Sequence, residues 1–539
     1  MKTAYINGVI HTMNDHQVAQ AMIVEDKTII QVGTNDEINK LINEDMQVID
    51  LENKAVLPGF NDSHLHALLS SQKMSQVDLS SAKSIADLIE ITKAGLPKEI
   101  KKGNWLIGRG WNQDYFSEKR FPTKDDLDKI STEIPICLIR ACIHICVVNS
   151  KALEIINLDK DNLPQLSDGM IYVADNGELN GLFSETALQY VYSNFPEISL
   201  DDIKELILNL HAHLNSEGIT SIQTDDFTAL NGVKYTTVMQ AYMELAKEGK
   251  LSVKTYQQCL LPKVADLEDF LAQGYRTKQD YDFYRIGPLK LLLDGSLGAR
   301  TAVVEGNYAD APDVRGINTY EDEELYALAK LAQENDLQIA MHGIGDGAVN
   351  QIIRICSRLN REVPRANHRH GIVHCQITEA PALDQIAQEE IVIYAQPIFL
   401  HYDIHIVDDR VGVEKGKTSY AFKTLLDKGV SVSMGTDSPV EPTNPFNNLY
   451  CAITRKDLNN TFEHGWNEHE CMSVYEAVRA YTYESAYQSF EEDRKGTIEV
   501  GKAADFIVLD KDIFEIDVEE IKNLKVLKTV VDGKLVFSR

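Results

Sequence analysis

Long apolar runs are missing from this chain. No stretch of 18 apolar residues occurs among its 539, which excludes a membrane-spanning helix on sequence grounds. The opening residues, Met1-Lys2-Thr3-Ala4-Tyr5-Ile6-Asn7-Gly8, lack the apolar h-region of a signal peptide, so the expected location is the cytoplasm. Cysteine is sparse, 8 residues at irregular intervals, which fits reduced thiols better than a disulfide framework. Positive charge is short as well: 53 Lys and Arg face 82 Asp and Glu, a net charge of -29. Such a field repels phosphate backbones and anionic bilayers, so neither nucleic acid nor a membrane is an expected partner. Gly108-Arg109-Gly110 lacks the third spaced glycine of a dinucleotide site, and no GxSxG elbow is present. There is no internal repeat and no low-complexity tract.

What is present is ordinary globular material, 44% hydrophobic and 25% charged, long enough for one large domain and something smaller. Short β-type runs at 4–10, 21–24 and 28–32 are punctuated by turn residues, and the far end repeats them at 505–509, 526–531 and 534–537. The two ends are expected to pair into one composite β-sandwich, residues 1–57 with 490–539. Between them, in 58–489, apolar runs alternate with amphipathic stretches, as at 321–335 followed by 337–341, the pattern of a parallel α/β fold. Candidate strands at 55–60, 105–108, 135–140, 219–224, 289–293, 337–341, 371–374, 392–396 and 430–434 suffice for an eight-stranded (β/α)8 barrel. The stretch at about 68–215 exceeds one strand-helix unit and reads as an insertion over the barrel mouth, where loops set specificity.

The chemistry concentrates at strand ends. In LPGFNDSHLH, 57–66, an apolar strand finishes in His64-x-His66, and alternate strand residues share a face, so both imidazoles can meet one ion. For a bare HxH, two hydrogen-bonded histidines are at least as common. Here the pattern recurs: His342 closes 337–341, His374 closes 371–373 and Asp437 closes 430–436. In a parallel barrel all these ends open on one face. Lys290, inside an otherwise apolar strand at 287–295, must be paired, neutralised or chemically changed. An ion pair with Asp294 or another carboxylate is the first reading; carboxylation to a metal-bridging carbamate is the other. Cys137, Cys142, His144 and Cys146 lack paired CxxC halves and lie among apolar residues, which reads as buried strand positions instead of a zinc knuckle.

Five ordered blocks, at 58–66, 290–302, 342–346, 435–439 and 501–505, resemble the amidohydrolase superfamily. The branch is amidohydrolase family 3, the group of YtcJ-like proteins and N-substituted formamide deformylases. The resemblance spans the whole chain and implies a (β/α)8 TIM-type barrel with a β-sandwich and one or two divalent ions, zinc by expectation. His64 and His66 would hold one ion, His342 and His374 the second, Lys290 would bridge them as a carbamate, and Asp437 would be the remaining ligand and proton shuttle. One position departs from the group: Val373 stands where Glu usually precedes the histidine. Val373 and His374 are expected on opposite faces, so the ligand survives while a polar neighbour is lost.

The implied activity is hydrolysis of a C–N bond, an N-formyl or N-acyl amide, in a small-molecule substrate. A bound ion activates water near neutral pH, and Asp437 moves its proton to the leaving nitrogen. Arg300 is a candidate grip for a substrate carboxylate, with a structural salt bridge at least as common. Trp111, Gln113 and His144 are candidate pocket residues, although a packing anchor is the commoner role for a tryptophan. Asp346, four residues after His342, reads as a helix cap. Two alternatives stay open: a cyclic amidase or deaminase on the same fold, and a catalytically silent metal-binding barrel. A homo-oligomer also stays open.

Overall fold

The computed structural model describes residues 2–96, 105–158, 160, 163–166, 168–462 and 464–539. The chain divides into two compact units, Met1–Ser70 with Leu200–Arg539, and Ser71–Ser199.

In the first unit, eight parallel strands follow one another around a barrel: Phe60–Leu65, Ile219–Asp225, Lys254–Leu260, Tyr284–Leu292, Ile339–Gly343, Gly371–His374, Val392–Ala395 and Val432–Met434. Strand order matches chain order throughout, as right-handed βα crossovers require. The first and eighth strands meet at their C-terminal ends. There Asp437 N donates to His64 O at 2.8 Å and His66 N to Ser438 O at 2.7 Å. Beneath this seam the buried Asp62 carboxylate accepts from Thr436 N at 3.1 Å and Thr436 Oγ1 at 2.7 Å. Gly435 is required at the crossing, because a Cβ there would stand 2.4 Å from His64 N.

The termini build two further sheets. One is ordered Thr28–Gly33, Ala21–Glu25, Lys2–Ile6, Gln47–Asp50; the other is ordered Lys534–Ser538, Val526–Val531, Phe506–Leu509, Ala55–Pro58, Val9–His11, Val18–Ala19. Phe506 pairs with Pro58 and Val508 with Val56, so the two chain ends share a sheet. Tyr5, Ile10, Met22, Val56, Phe506 and Val530 form the core between the sheets. The 55–60 run therefore supplies a sandwich strand, Ala55–Pro58, before the first barrel strand begins at Phe60.

The second unit carries its own sheet, ordered Met170–Val173, Leu179–Ser184, Ile145–Val148, Ile136–Arg140, Leu106–Trp111, Val77–Asp78. The strands expected near 105 and 135 belong here and not to the barrel, whose third strand is instead Lys254–Leu260. That strand was hidden because Gln257 and Gln258 are buried inside it, so it carries no apolar run. Cys137 and Cys146 are buried on neighbouring strands of the second unit, and all eight cysteines are free.

Candidate metal centre

His64, His66 and Asp437 are the grouping of three metal-capable side chains found among the described residues, their ligand atoms within 4.8 Å of one another. His64 Nε2 lies 3.3 Å and His66 Nε2 3.1 Å from Asp437 Oδ1. The tautomers follow from the far side of each ring. His64 Nδ1 donates to Gln258 Oε1 at 2.8 Å, and Gln258 is itself oriented by Nε2 donating to Ser63 O at 3.2 Å. His66 Nδ1 donates to Asp225 O at 3.1 Å. With both Nδ1 atoms protonated, both Nε2 lone pairs point at a carboxylate oxygen that has no hydrogen-bond partner among the described residues. Three converging lone pairs repel one another unless a proton or a metal cation stands between them: against burial, Asp437 lifts His66 to about 9, so an imidazolium fills the gap when no ion is bound, and the same donor set fits a metal ion. Burial, aided by Lys290, pushes His64 down to about 3, which keeps it a neutral ligand.

His342 and His374 stand beside this trio, their rings 4.5 Å apart, with His374 5.7 Å from His64. His342 Nδ1 donates to Asp294 Oδ1 at 2.9 Å, which leaves Nε2 free for a ligand. His374 is buried with Nδ1 unpartnered, its ring stacked on Phe399 at 5.8 Å. His374 and Asp437 both adopt left-handed backbone, φ 81° and 55°, strain that side chains other than glycine accept where a site demands it. That turn explains His374. In register, Val373 pairs with His342, and paired residues of a parallel sheet share a face. Val373 lies among Ala340, Val392, Tyr394 and Tyr487, so this chain has an apolar contact where the resemblance led us to expect a polar one.

Lys290 is fully buried on the fourth strand, and its Nζ has no partner among the described residues. The ion pair with Asp294 is absent. Asp294 spends its acceptors on His342 and on the backbone N–H groups of Val303, Ile344 and Gly345 at 2.9 to 3.1 Å. Burial pulls the Lys290 ammonium down, against the attraction of Asp225 and Asp437.

The other candidates have structural partners. Arg300 holds Asp310 with two bonds, at 3.0 and 2.7 Å, and Arg410 joins the same carboxylate. Asp346 does not cap its helix through its side chain: it accepts from Glu305 N at 3.0 Å and pairs with Lys415 at 2.5 Å. In the second unit, Trp111 is wholly buried and donates Nε1 to Leu138 O at 2.9 Å. Gln113 accepts from Arg140 Nε at 2.7 Å, and His144, largely exposed, pairs with Glu185 at 2.9 Å. Gln258 and Asp225, whose carbonyl holds His66, are not marked by the sequence pattern, and Asp294, expected as a partner of Lys290, holds His342 instead. Each ends or nears the end of a barrel strand, which was the available signal.

A cleft of about 580 Å³ lies at the other end of the barrel, lined by Arg369, Ile391, Ser431, Tyr483 and Glu484. Arg369 there is clamped by Glu492 at 2.6 Å, so the cleft reads as the barrel's stabilising end.

Comparison with known proteins agrees with this geometry. Residues 47–537 match the amidohydrolase family. The protein YtcJ of Bacillus subtilis (strain 168) is 31% identical over the full length of both chains. The N-substituted formamide deformylase of Arthrobacter pascens is 25% identical over 99% of this chain and 98% of its own. The crystal structure of an uncharacterized metal-dependent hydrolase from Pyrococcus horikoshii OT3 superposes with a TM-score of 0.77 at 27% identity, covering 96% of this chain and 99% of that one. With its barrel, the histidines and aspartate at its strand ends and a match across almost its whole length, the chain belongs to the amidohydrolase family.

Proposed function

We propose that this hydrolase uses a divalent metal, zinc by preference, to cleave the C–N bond of an amide in a small molecule. The observation that carries the reading is the convergence of His64 Nε2, His66 Nε2 and Asp437 Oδ1 beside an unpartnered, buried Lys290. Imidazole nitrogens and a carboxylate are the donor set zinc favours. An ion held there supplies Lewis acidity, which activates water at neutral pH and polarises a substrate carbonyl. Asp437, anchored by its backbone to His64 O, accepts the proton of the attacking water on its carboxylate and hands it to the departing nitrogen. The low-dielectric setting of Lys290 favours the neutral amine, the form that adds carbon dioxide and releases a proton to give a carbamate. That carbamate, with His342 and His374, would hold a second ion. The likeness to an N-substituted formamide deformylase makes N-formyl and N-acyl amines the substrates to try first.

Elemental analysis of the protein as isolated tests this reading, alongside a His64→Ala, His66→Ala double variant and Lys290→Ala. Two equivalents of a transition metal, reduced in both variants, with metal-dependent release of amine from N-formyl compounds, is the expected result. One equivalent insensitive to Lys290→Ala removes the carbamate and leaves a one-ion hydrolase. Protein that takes up no metal under metal-replete expression overturns the proposal.

A further inference from the structure

Gln396 follows the seventh barrel strand, Val392–Ala395, and is about 1% exposed. Neither Oε1 nor Nε2 of its carboxamide has a hydrogen-bond partner among the described residues. Its orientation follows from the strand. Tyr394 faces the barrel interior, packed with Val373 and receiving Gln338 Nε2 on its hydroxyl at 3.2 Å. Side chains alternate along a strand, so Gln396 returns to the interior face one pleat nearer the C-terminal mouth. Gly435 N donates to Ala395 O at 2.9 Å, and Val373 pairs with Tyr394, which sets Gln396 level with the ends that carry His374 and Asp437. The backbone around it is fixed: Pro397 follows directly, Asn448 Oδ1 accepts from Ile398 N at 2.8 Å, and Asn448 Nδ2 donates to Gly435 O at 2.8 Å. Asn61 is likewise buried without partners, but it precedes Asp62 on the first strand and so lies below the ligands, where Gln396 lies level with them.

A carboxamide held this rigidly, with donor and acceptor both unused, is costly unless something arrives to pair with it. Resting on the hydrolase reading above, we propose that Gln396 is a substrate-binding residue whose Oε1 accepts the N–H of the scissile amide. The same mouth shows what flanks that amide. Leu292, paired in register with His342, is 37% exposed, and Val440, whose N–H donates to Asp437 O, is 63% exposed. Arg300 and Lys415, in the connections that follow barrel strands, are committed to Asp310 and Asp346. The substrate class is therefore an uncharged secondary amide with an apolar N-substituent.

N-hexylformamide and hexyl formate share the apolar chain and the formyl group and differ in the N–H alone, so they are the probes. In Gln396→Leu, kcat/KM for the amide is expected to fall about 10- to 100-fold while the ester changes less than about 3-fold. Metal content and unfolding temperature stay at or above those of the parent, since the variant removes an unpaired polar group. Gln396→Glu, which keeps an acceptor oxygen, recovers part of the amide rate. Equal losses on both probes, or no loss, overturn the proposal and make Gln396 a structural residue. Calorimetric titration of the metal-loaded protein with N-hexylmethanesulfonamide, which keeps the N–H and the apolar chain but is not hydrolysed, decides the matter without turnover: binding present in the parent and lost in Gln396→Leu supports it, and equal binding in both, or none in either, overturns it. Such binding without any hydrolysis of N-hexylformamide would sink the catalytic reading while leaving the role of Gln396 standing.

Discussion

An imidazole becomes a good metal ligand when its second nitrogen is held, and here each holder has a different chemistry. Gln258 Oε1 holds His64, the Asp225 carbonyl holds His66 and the Asp294 carboxylate holds His342. Gln258 is the holder whose side chain can be exchanged with least collateral change, because its other bond goes to Ser63 O. Gln258→Leu frees the His64 ring to rotate and to carry its proton on either nitrogen. Metal affinity is expected to drop about 10- to 100-fold, measured by competition with a chelator at constant pH, while the thermal unfolding of metal-free protein changes little. An unchanged affinity would mean that burial alone orients His64. The candidate ligands are legible because they close apolar runs; Gln258 is not, because an isolated polar residue on a strand without an apolar run carries no periodic signal.

At the scale of elements, the barrel's closure is a matter of how near two strand ends can come. Gly435 lets the eighth strand pass so near the first that a Cβ in its place would stand 2.4 Å from His64 N and 2.8 Å from an Asp62 carboxylate oxygen. Gly435→Ala pushes those strands apart where they carry His64 and Asp437. Overpacking of this kind costs about 1–3 kcal/mol, read as a lower urea midpoint at unchanged slope, and metal binding should weaken with it. A variant that binds metal normally would show that the seam has room to give. The parallel barrel could be read from alternation of apolar runs with amphipathic helices, and most of its strands were. The third strand was missed because Tyr256, Gln257 and Gln258 make a polar interior, and the runs near 105 and 135 were assigned to the barrel because a buried strand looks the same in either sheet. Backbone handedness is the other blind spot: the φ of 81° that turns His374 leaves no trace in composition.

For the whole molecule, the question is what fixes the C-terminal segment against the floor of the barrel. Ser485 O accepts from Gln223 Nε2 at 3.0 Å, Gln488 Oε1 from Ser433 Oγ at 2.6 Å, and Lys495 Nζ donates to Ser221 Oγ at 2.9 Å. Glu491 is the charge at the centre: Arg285 Nη1 of the fourth strand is 3.1 Å from one oxygen and Lys495 Nζ 2.7 Å from the other. Burial opposes its ionisation, yet Lys495 and Arg285 hold the carboxyl at about 2, below the ordinary 4.5. A folded-state pKa below the unfolded one gives stability that is fully present above about pH 4.5 and lost as pH falls toward 2. That difference corresponds to about 3 kcal/mol. Glu491→Gln leaves two buried cations without a counter-charge and should cost about 3–5 kcal/mol at pH 7. The gap in urea midpoint between parent and variant should then narrow as both are measured from pH 6 down to pH 3, since the unfolded parent takes up a proton at Glu491 over that range while glutamine has nothing to titrate. A gap that stays constant across that range would place the source of acid sensitivity elsewhere and reduce Glu491 to a packing residue.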